Sequence, residues 1–378
     1  MVPCSKEKDK NILIVIVGAG LIGPRHAQSV QRHPRTQLIA FVDPSPSAIP
    51  VAESFGVPCY DSITSMLDVV GKTTGKPDAA IVSTPNHTHV DVTLQLLENG
   101  IRNILLEKPI SDDLESAEHL LATVKEQKCK DEKRGKDAKI NIQIGHHRRF
   151  NPYIQTTKSF RPLTSRRRSV LGAQIRRRAA CWGLILSTIS TCCSFCLGPS
   201  VGSTRRVHSC SACARTRNIP PRKAVLLTLR FASGIVGTFL YCDATPSPLN
   251  FETGTGENPT IPPAPSKSAS ECYRILGTRA SLSVPDMTRW SYDHVSCGQG
   301  KEKGWNTELA MQQISVKDAD VRPFDAQWGY FVDVVSGKGE DGERGVGCGV
   351  EDGVRALRVV QAVRESMEGG KPVDVQSV

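Results

Sequence analysis

Residues Ile12–Ala27 read ILIVIVGAGLIGPRHA. Ile12 to Val17 form an unbroken apolar run of the length expected for a buried parallel strand. Gly18-Ala19-Gly20-Leu21-Ile22-Gly23 then places its glycines at the G-x-G-x-x-G spacing. Gly18 permits the tight turn out of the strand. Gly20 lets the backbone approach a pyrophosphate, and Gly23 lets the next helix pack close. The N–H groups opening that helix then face the phosphates. A second apolar run, Leu38–Val42, ends in Asp43, 20 residues after Gly23. A carboxylate there accepts from an adenosine ribose diol and repels a 2′-phosphate. This favours NAD, while Ser45 and Ser47 leave NADP possible.

The 378 residues leave room for two domains, each with its own core. No apolar run reaches the roughly 18 residues that suggest a membrane-crossing helix. The opening MVPCSKEKDK lacks a signal peptide's apolar centre. Thirteen cysteines in so long a nucleotide-binding chain fit a reducing, cytoplasmic setting better than a secreted scaffold. The net charge of +10 is concentrated in one region. Between Ala138 and Cys242 stand 18 Lys and Arg and no Asp or Glu, and without them the chain is net −8.

An α/β class follows from the alternation in the first part. After a polar tail over 1–10, a doubly wound parallel sheet is expected over 11–148. Its strands fall at Ile12–Val17, Leu38–Val42, Ala79–Ser83, Asn103–Leu106 and Ile140–Ile144. Helices are expected near 24–32, 47–55, 88–99 and 112–127, with a short one within 60–70 capped by Asp61. Lys128–Lys139 reads as a charged loop. Over 149–378 the pattern changes to hairpins, Ala224–Phe231 with Ile235–Cys242 and Tyr273–Leu276 with Ala280–Val284. An open, mostly antiparallel sheet is indicated, closed by helices over 326–335 and 351–368.

Three further clusters follow strands of the first half, where a doubly wound sheet holds its ligands. They are Ser83-Thr84-Pro85-Asn86-His87-Thr88-His89, Glu107-Lys108-Pro109 and Gly145-His146-His147-Arg148-Arg149-Phe150-Asn151-Pro152. With the glycine loop they resemble the Gfo/Idh/MocA family of glucose–fructose oxidoreductase and inositol dehydrogenase. The resemblance implies a T-P-N-x-x-H loop bordering the cofactor, matched by Thr84, Pro85, Asn86 and His89, with Ser83 beside it. It implies an E-K-P motif, often with an unusual peptide before the proline, matched by Glu107, Lys108 and Pro109. Lys108 thereby inherits the catalytic role at the reacting hydroxyl, and burial beside a nicotinamide would favour its neutral form. Arg149 is a candidate for orienting substrate oxygens, with a structural ion pair as the alternative. His87 reads as a loop-capping residue. The family also implies a sugar, cyclitol or related polyol as substrate, a last helix that packs back on the first domain, and homo-oligomers formed through the open sheet.

The resemblance covers 11–160 and resumes near Lys223. Residues 165–222 depart from it and lack the family's polar residue, His and leucine-rich string. They carry Arg166-Arg167-Arg168, Arg176-Arg177-Arg178 and a serine- and cysteine-rich stretch from Ser187 to Pro199 instead. Shifting the codon frame allows Ser187–Pro199 to be recoded as Asn-His-Ile-Asp-Leu-Leu-Gln-Phe-Leu-Phe-Gly-Pro, which restores the H-x-D-leucine pattern. The block therefore reads as family coding sequence in a shifted frame, expected to be poorly ordered, with activity impaired. Two rivals are a zinc module on Cys193, Cys196, Cys210 and Cys213, and a nucleic-acid arm. The first lacks ribbon strands at its flanks, and the second lacks stacking aromatics. A resident metal is not expected. The alternative to an enzyme is a dinucleotide-binding sensor or relic without catalysis.

Overall fold

In the computed structural model the described residues are 11–134, 139–159, 170–175, 204–214, 222–232, 234–242, 247, 249–258, 260–262, 272–292, 306–338 and 347–375. They divide into two compact units. The first is Met1–His147 with Phe324–Val354, and the second is Arg148–Pro323 with Arg355–Val378.

The first unit is built on a six-stranded sheet, all parallel. Its strands are β1 (Ile12–Val17), β2 (Thr36–Val42), β3 (Cys59–Tyr60), β4 (Ala79–Val82), β5 (Asn103–Leu106) and β6 (Asn141–Ile144), in the order β3-β2-β1-β4-β5-β6. That order reverses between β1 and β4, the switch point where such sheets bind ligands. Ile14, Ile16, Phe41, Ile81 and Leu105 are fully buried, as strands covered on both faces require. The crossover helices are α1 (Gly23–Arg32), α2 (Ala48–Ser54), α3 (Ile63–Thr73), α4 (His89–Glu98) and α5 (Leu114–Lys133). α1 buries Gly23, His26, Ala27 and Val30, one face at helical spacing.

Some local expectations change. α3 is capped by Ser62, not Asp61. The Ser62 hydroxyl accepts from the Ser65 N–H at 3.2 Å, and Ser65 answers in a reciprocal capping box. Asp61 instead accepts from the Ser65 and Ser62 hydroxyls. α5 starts after Asp113, whose carboxylate caps the Ser116 N–H at 2.8 Å. It then runs through Lys128–Lys133, read from sequence as loop: the lysines there are exposed, the Lys130–Glu126 pair spans one turn, and the buried Asp131 pairs with Arg102.

The first unit also takes in Phe324–Val335 of α8 (Pro323–Val335), which the sequence reading puts in the second domain. Trp328, Phe331 and Val332 join the core cluster of Ile14, Ile16, Phe41, Ile81 and Leu105. Asp325 accepts from the Ser29 hydroxyl at 2.7 Å and pairs with Arg32.

The second unit holds a nine-stranded sheet in the order β14-β13-β12-β11-β7-β10-β9-β8-β15. Its strands are β7 (Val170–Ile175), β8 (Thr204–Ala214), β9 (Arg222–Phe231), β10 (Val236–Cys242), β11 (Tyr273–Leu276), β12 (Ala280–Val284), β13 (Thr288–Ser291), β14 (Ala310–Gln313) and β15 (Val373–Asp374). All pairs are antiparallel except β10 with β7. Both expected hairpins form, β9–β10 and β11–β12. Two helices, α6 (Pro152–Ser159) and α7 (Phe251–Thr255), belong to this unit. α9 (Val350–Gly369) ends before Gly370, whose φ of +62° suits the turn out of a helix. Its residues through Val354 count with the first unit, where Gly353 lies against the Ile110 side chain.

The 165–222 block, expected to be poorly ordered, contains β7 over 170–175 and β8 over 204–214. Backbone pairing there needs no particular side chains, and β8 pairs with β9 along its length. Cys210 and Cys213 fall within β8. Residues 165–169, 176–203 and 215–221, with both arginine triplets, Cys193 and Cys196, lie outside the described residues.

Candidate active site

The glycine loop closes tightly on the end of β4. Gly18 has φ +99°, and a Cβ there would lie 2.7 Å from the Ser83 carbonyl group and 2.8 Å from the Thr84 nitrogen. Only glycine fits both the conformation and the space. A Cβ on Gly23 would meet the Gly18 oxygen at 2.2 Å, so the third glycine lets α1 begin directly under the turn. Gly20 has nothing within 4 Å of such a Cβ. Its glycine serves no contact within the chain, as expected where a ligand approaches. α1 opens with no side-chain cap and no acidic residue in its first turn, with Pro24 at its start. Its N-terminus is thus suited to an anion. Gly20 and Leu21 are exposed beside it, and Ile22 is half-buried. These features fit a dinucleotide pyrophosphate.

Asp43 at the end of β2 does more than the spacing suggests. Its Oδ2 accepts from the Ala19 N–H at 2.8 Å, and its Oδ1 from the Ser45 N–H at 2.9 Å. The carboxylate pins the glycine loop and keeps spare lone pairs for a diol. The Ala19 amide is therefore spent on Asp43 rather than offered to a phosphate. The Ser45 and Ser47 hydroxyls bond each other at 2.8 Å.

The Ser83–His89 cluster splits into a frame and an exposed rim. Ser83 Oγ donates to the Gly18 oxygen at 2.8 Å, tying β4 to the glycine turn. Thr88 donates to the Thr84 hydroxyl at 2.8 Å. His89 is 1% exposed, with Nε2 2.9 Å from the Thr84 oxygen and Nδ1 2.7 Å from the Pro109 oxygen. It straps this loop to the one after β5. Burial holds its pKa below the usual imidazole value, against the raising effects of those carbonyls, Glu107 and Asp112. Pro85, Asn86 and His87 form the exposed rim.

After β5 come Glu107, Lys108 and Pro109, with a cis peptide between the last two. Lys108 is half-buried and Glu107 buried. Glu107 Oε1 lies 2.9 Å from His26 Nε2, and Oε2 accepts from the Lys108 N–H at 3.1 Å. Burial alone would raise the Glu107 pKa. The His26 hydrogen bond and the charges of His26, Lys108 and His147 outweigh it and bring the value to about 2. Gly145 at the end of β6 leaves room for this carboxylate, since a Cβ there would sit 2.9 Å from Oε1. Phe324 backs the cluster, its ring 4.6 Å from that of His26 and 5.5 Å from that of His147, with the Arg25 guanidinium over its face.

His26 and Phe324 were not singled out by sequence reasoning, and Gly145 only as the first residue of the third cluster. A lone histidine on a helix and a phenylalanine near the far end of the chain carry no pattern. The glycine opening the third cluster was the available signal.

In the second unit Arg149 is 4% exposed, and its carbonyl accepts from the Gln155 amide. Its neighbour Arg148 forms an ion-pair cluster. That guanidinium bonds Glu257 at 2.6 and 2.9 Å and Glu252 at 3.2 Å, over the Phe251 ring. Asn151 adds a bond to Glu257 at 2.8 Å. Among the described residues no His, Cys, Asp and Glu cluster could hold a metal ion, and no helix is long and apolar enough to cross a membrane.

The model of an oxidoreductase family's NAD-binding Rossmann fold matches residues 12–130, and that of the family's C-terminal α/β domain matches 203–375. The second match begins at 203, earlier than the resumption near Lys223 expected from the motifs. Inositol 2-dehydrogenase of Rhizobium meliloti is 30% identical over 146 residues, 38% of each chain. The NAD(+)-dependent scyllo-inositol 2-dehydrogenase of Bacillus subtilis is 30% identical over 153 residues, 40% of each. These alignments thus span well under half of either relative. Among solved structures, GenD2 from gentamicin A biosynthesis in complex with NAD superposes with TM-score 0.65 at 17% identity over 100% of both chains. A myo-inositol dehydrogenase from Corynebacterium glutamicum gives 0.62 at 19% identity, over 97% of this chain and 100% of its own. The two domain matches together span more than half of the sequence, and the chain belongs to the Gfo/Idh/MocA oxidoreductase family, with that family's NAD-binding Rossmann fold.

Proposed function

We propose that the protein transfers a hydride between NAD and a secondary alcohol of a sugar, cyclitol or related polyol. One observation carries this reading. The Gly18 turn, the Asp43 carboxylate and Lys108 follow β1, β2 and β5 of one parallel sheet, on either side of its switch point between β1 and β4. Bound NAD supplies the hydride acceptor. Asp43 holds the ribose diol and the glycine loop together, and the first turn of α1 receives the pyrophosphate. Lys108 takes the proton from the reacting hydroxyl at Nζ and returns it in the reverse direction. Asn86 borders the cofactor on the exposed rim. Arg149 is the proposed contact to substrate oxygens.

The second reading is dinucleotide binding without turnover. Residues 131–202 lie between the two family matches and include most of the basic block. The acid–base partner of Lys108 would come from the stretch now read as Ser187–Thr191. We therefore expect the chain as written to bind NAD and turn over poorly. NADH formation with a panel of polyols, compared with Lys108→Ala, tests the reading. Equal and measurable rates in the two proteins, or equal rates once the frame over 165–222 is restored, would exclude the role of Lys108.

A homo-oligomer through the open sheet is also proposed. On one face Leu276, Ser281, Trp290 and Met311 stand in register across β11, β12, β13 and β14, and Leu226 faces Leu240 across β9 and β10. All but Ser281 are large apolar residues exposed by 40% or more. A second copy of this face would cover them.

A further inference from the structure

We propose that Glu107 is a positioning residue for Lys108, held in place by His26, and that its fixed negative charge sets how firmly Lys108 keeps its proton. The inference rests on the catalytic reading of Lys108 given above.

Two tethers hold the carboxylate. Oε1 is bound to His26 Nε2 at 2.9 Å, with His26 1% exposed, and Oε2 grips the backbone N–H of Lys108 at 3.1 Å. Neither oxygen can swing away without breaking a buried contact. Phe324 packs against the His26 ring at 4.6 Å, and Gly145 supplies the space in which the carboxylate sits. A buried acid with such partners is costly to disturb. The charged and titratable groups acting with it are His26 from α1, Lys108 beside it, His147 after β6 and His89 from α4.

The consequence concerns the proton. A fixed carboxylate beside an ammonium favours the protonated form. Lys108 then becomes a base for alcohol oxidation only at raised pH, and serves as a proton donor for carbonyl reduction at lower pH. Glu107 thereby biases the pH at which each direction runs. A purely structural Glu107 would hold the backbone and leave the Lys108 titration alone.

The test is an NMR titration of the full chain with 13C-dimethylated lysines, the Lys108 signal being assigned by Lys108→Arg. Glu107→Gln keeps the shape and removes the charge. It should lower the Lys108 pKa by about one unit or more and move the alkaline limb of polyol oxidation the same way. His26→Leu should raise the titration of the Glu107 carboxyl, followed by its own 13C signal, and His26→Gln, which keeps a donor, should restore most of it. An unchanged Lys108 titration in folded Glu107→Gln overturns the proposal. Should that variant not fold, Gly145→Ala displaces the carboxylate without discharging it, and an unchanged Lys108 signal there is equally fatal. A shifted Lys108 titration together with undiminished turnover in Lys108→Ala would support the positioning role and refute the catalytic reading on which it builds.

Discussion

Asp43 and Glu107 each hold the chain in place with a carboxylate: Asp43 the glycine loop, and Glu107 the Lys108 backbone. Asp43 spends a hydrogen bond on the Ala19 amide of the glycine loop, and we propose that its remaining lone pairs take a ribose diol. Asp43→Ser should therefore loosen the loop as well as relax cofactor choice. NADH affinity should fall by about tenfold, for a loss of roughly 1.4 kcal/mol, and the ratio of NADH to NADPH affinity should shrink. Fluorescence titration of both cofactors reads this, and an unchanged ratio would remove Asp43 as the cause of selectivity. Glu107 makes the corresponding prediction in acid. Its folded value of about 2 lies below the ordinary 4.5, so its stabilisation is complete above about 4.5 and is lost as pH falls toward 2. That shift is on the order of 3 kcal/mol. His26→Leu should move the acid unfolding midpoint upward, and coincident acid unfolding curves would show that His26 does not hold the carboxylate charged. The glycines and Asp43 were legible in the sequence because backbone geometry demands particular residue types at fixed spacing. The His26–Glu107 pair was not legible, since it joins residues 81 apart and the E-K-P motif does not say which residue its Glu pairs with.

At the scale of elements, the turn at Gly18 and the Arg148 cluster carry the largest expected penalties. Gly18→Ala forces a Cβ against the backbone of Ser83 and Thr84 and a side-chain-bearing residue into positive φ. It should cost roughly 1–3 kcal/mol and abolish NADH binding, read by thermal unfolding and titration. Arg148→Ala would remove one cation from the buried carboxylates of Glu252 and Glu257. The expected loss is about 3–5 kcal/mol, measured by urea denaturation, and a loss under about 1 kcal/mol would place these carboxylates in a wetter setting than their burial indicates. Strands with continuous apolar runs and hairpins with glycine turns were readable from periodicity. The two-residue β3 was not, because so short a pairing has no period to detect. The length of α5 was also missed, because a solvated charged helix and a charged loop have the same composition. On the sheet of the second unit, Leu240→Glu with Met311→Glu should convert an oligomer to monomers in sedimentation velocity. A monomeric starting protein would show that the apolar row serves another purpose.

For the whole molecule, the order of motifs along the chain revealed the two-domain plan, while the return of Phe324–Val354 to the first unit was hidden. Sequence position suggests that α8 belongs with its neighbours, and only its packing of Trp328 and Phe331 into the first core shows otherwise. The basic block marks the other limit. The two strands it contributes pair through the backbone, and we propose that the acid–base partner of Lys108 is lost from its reading frame. Restoring the shifted frame over 165–222 should therefore raise turnover by about 100- to 10,000-fold over the chain as written, the range an acid–base partner contributes. Both forms need the same proposed cofactor site. Calorimetric titration of the full chain with NADH and with NADPH tests it most directly. One saturable NADH site per chain, tighter than NADPH, is the predicted result, and no NADH binding, or tighter binding of NADPH, would contradict it.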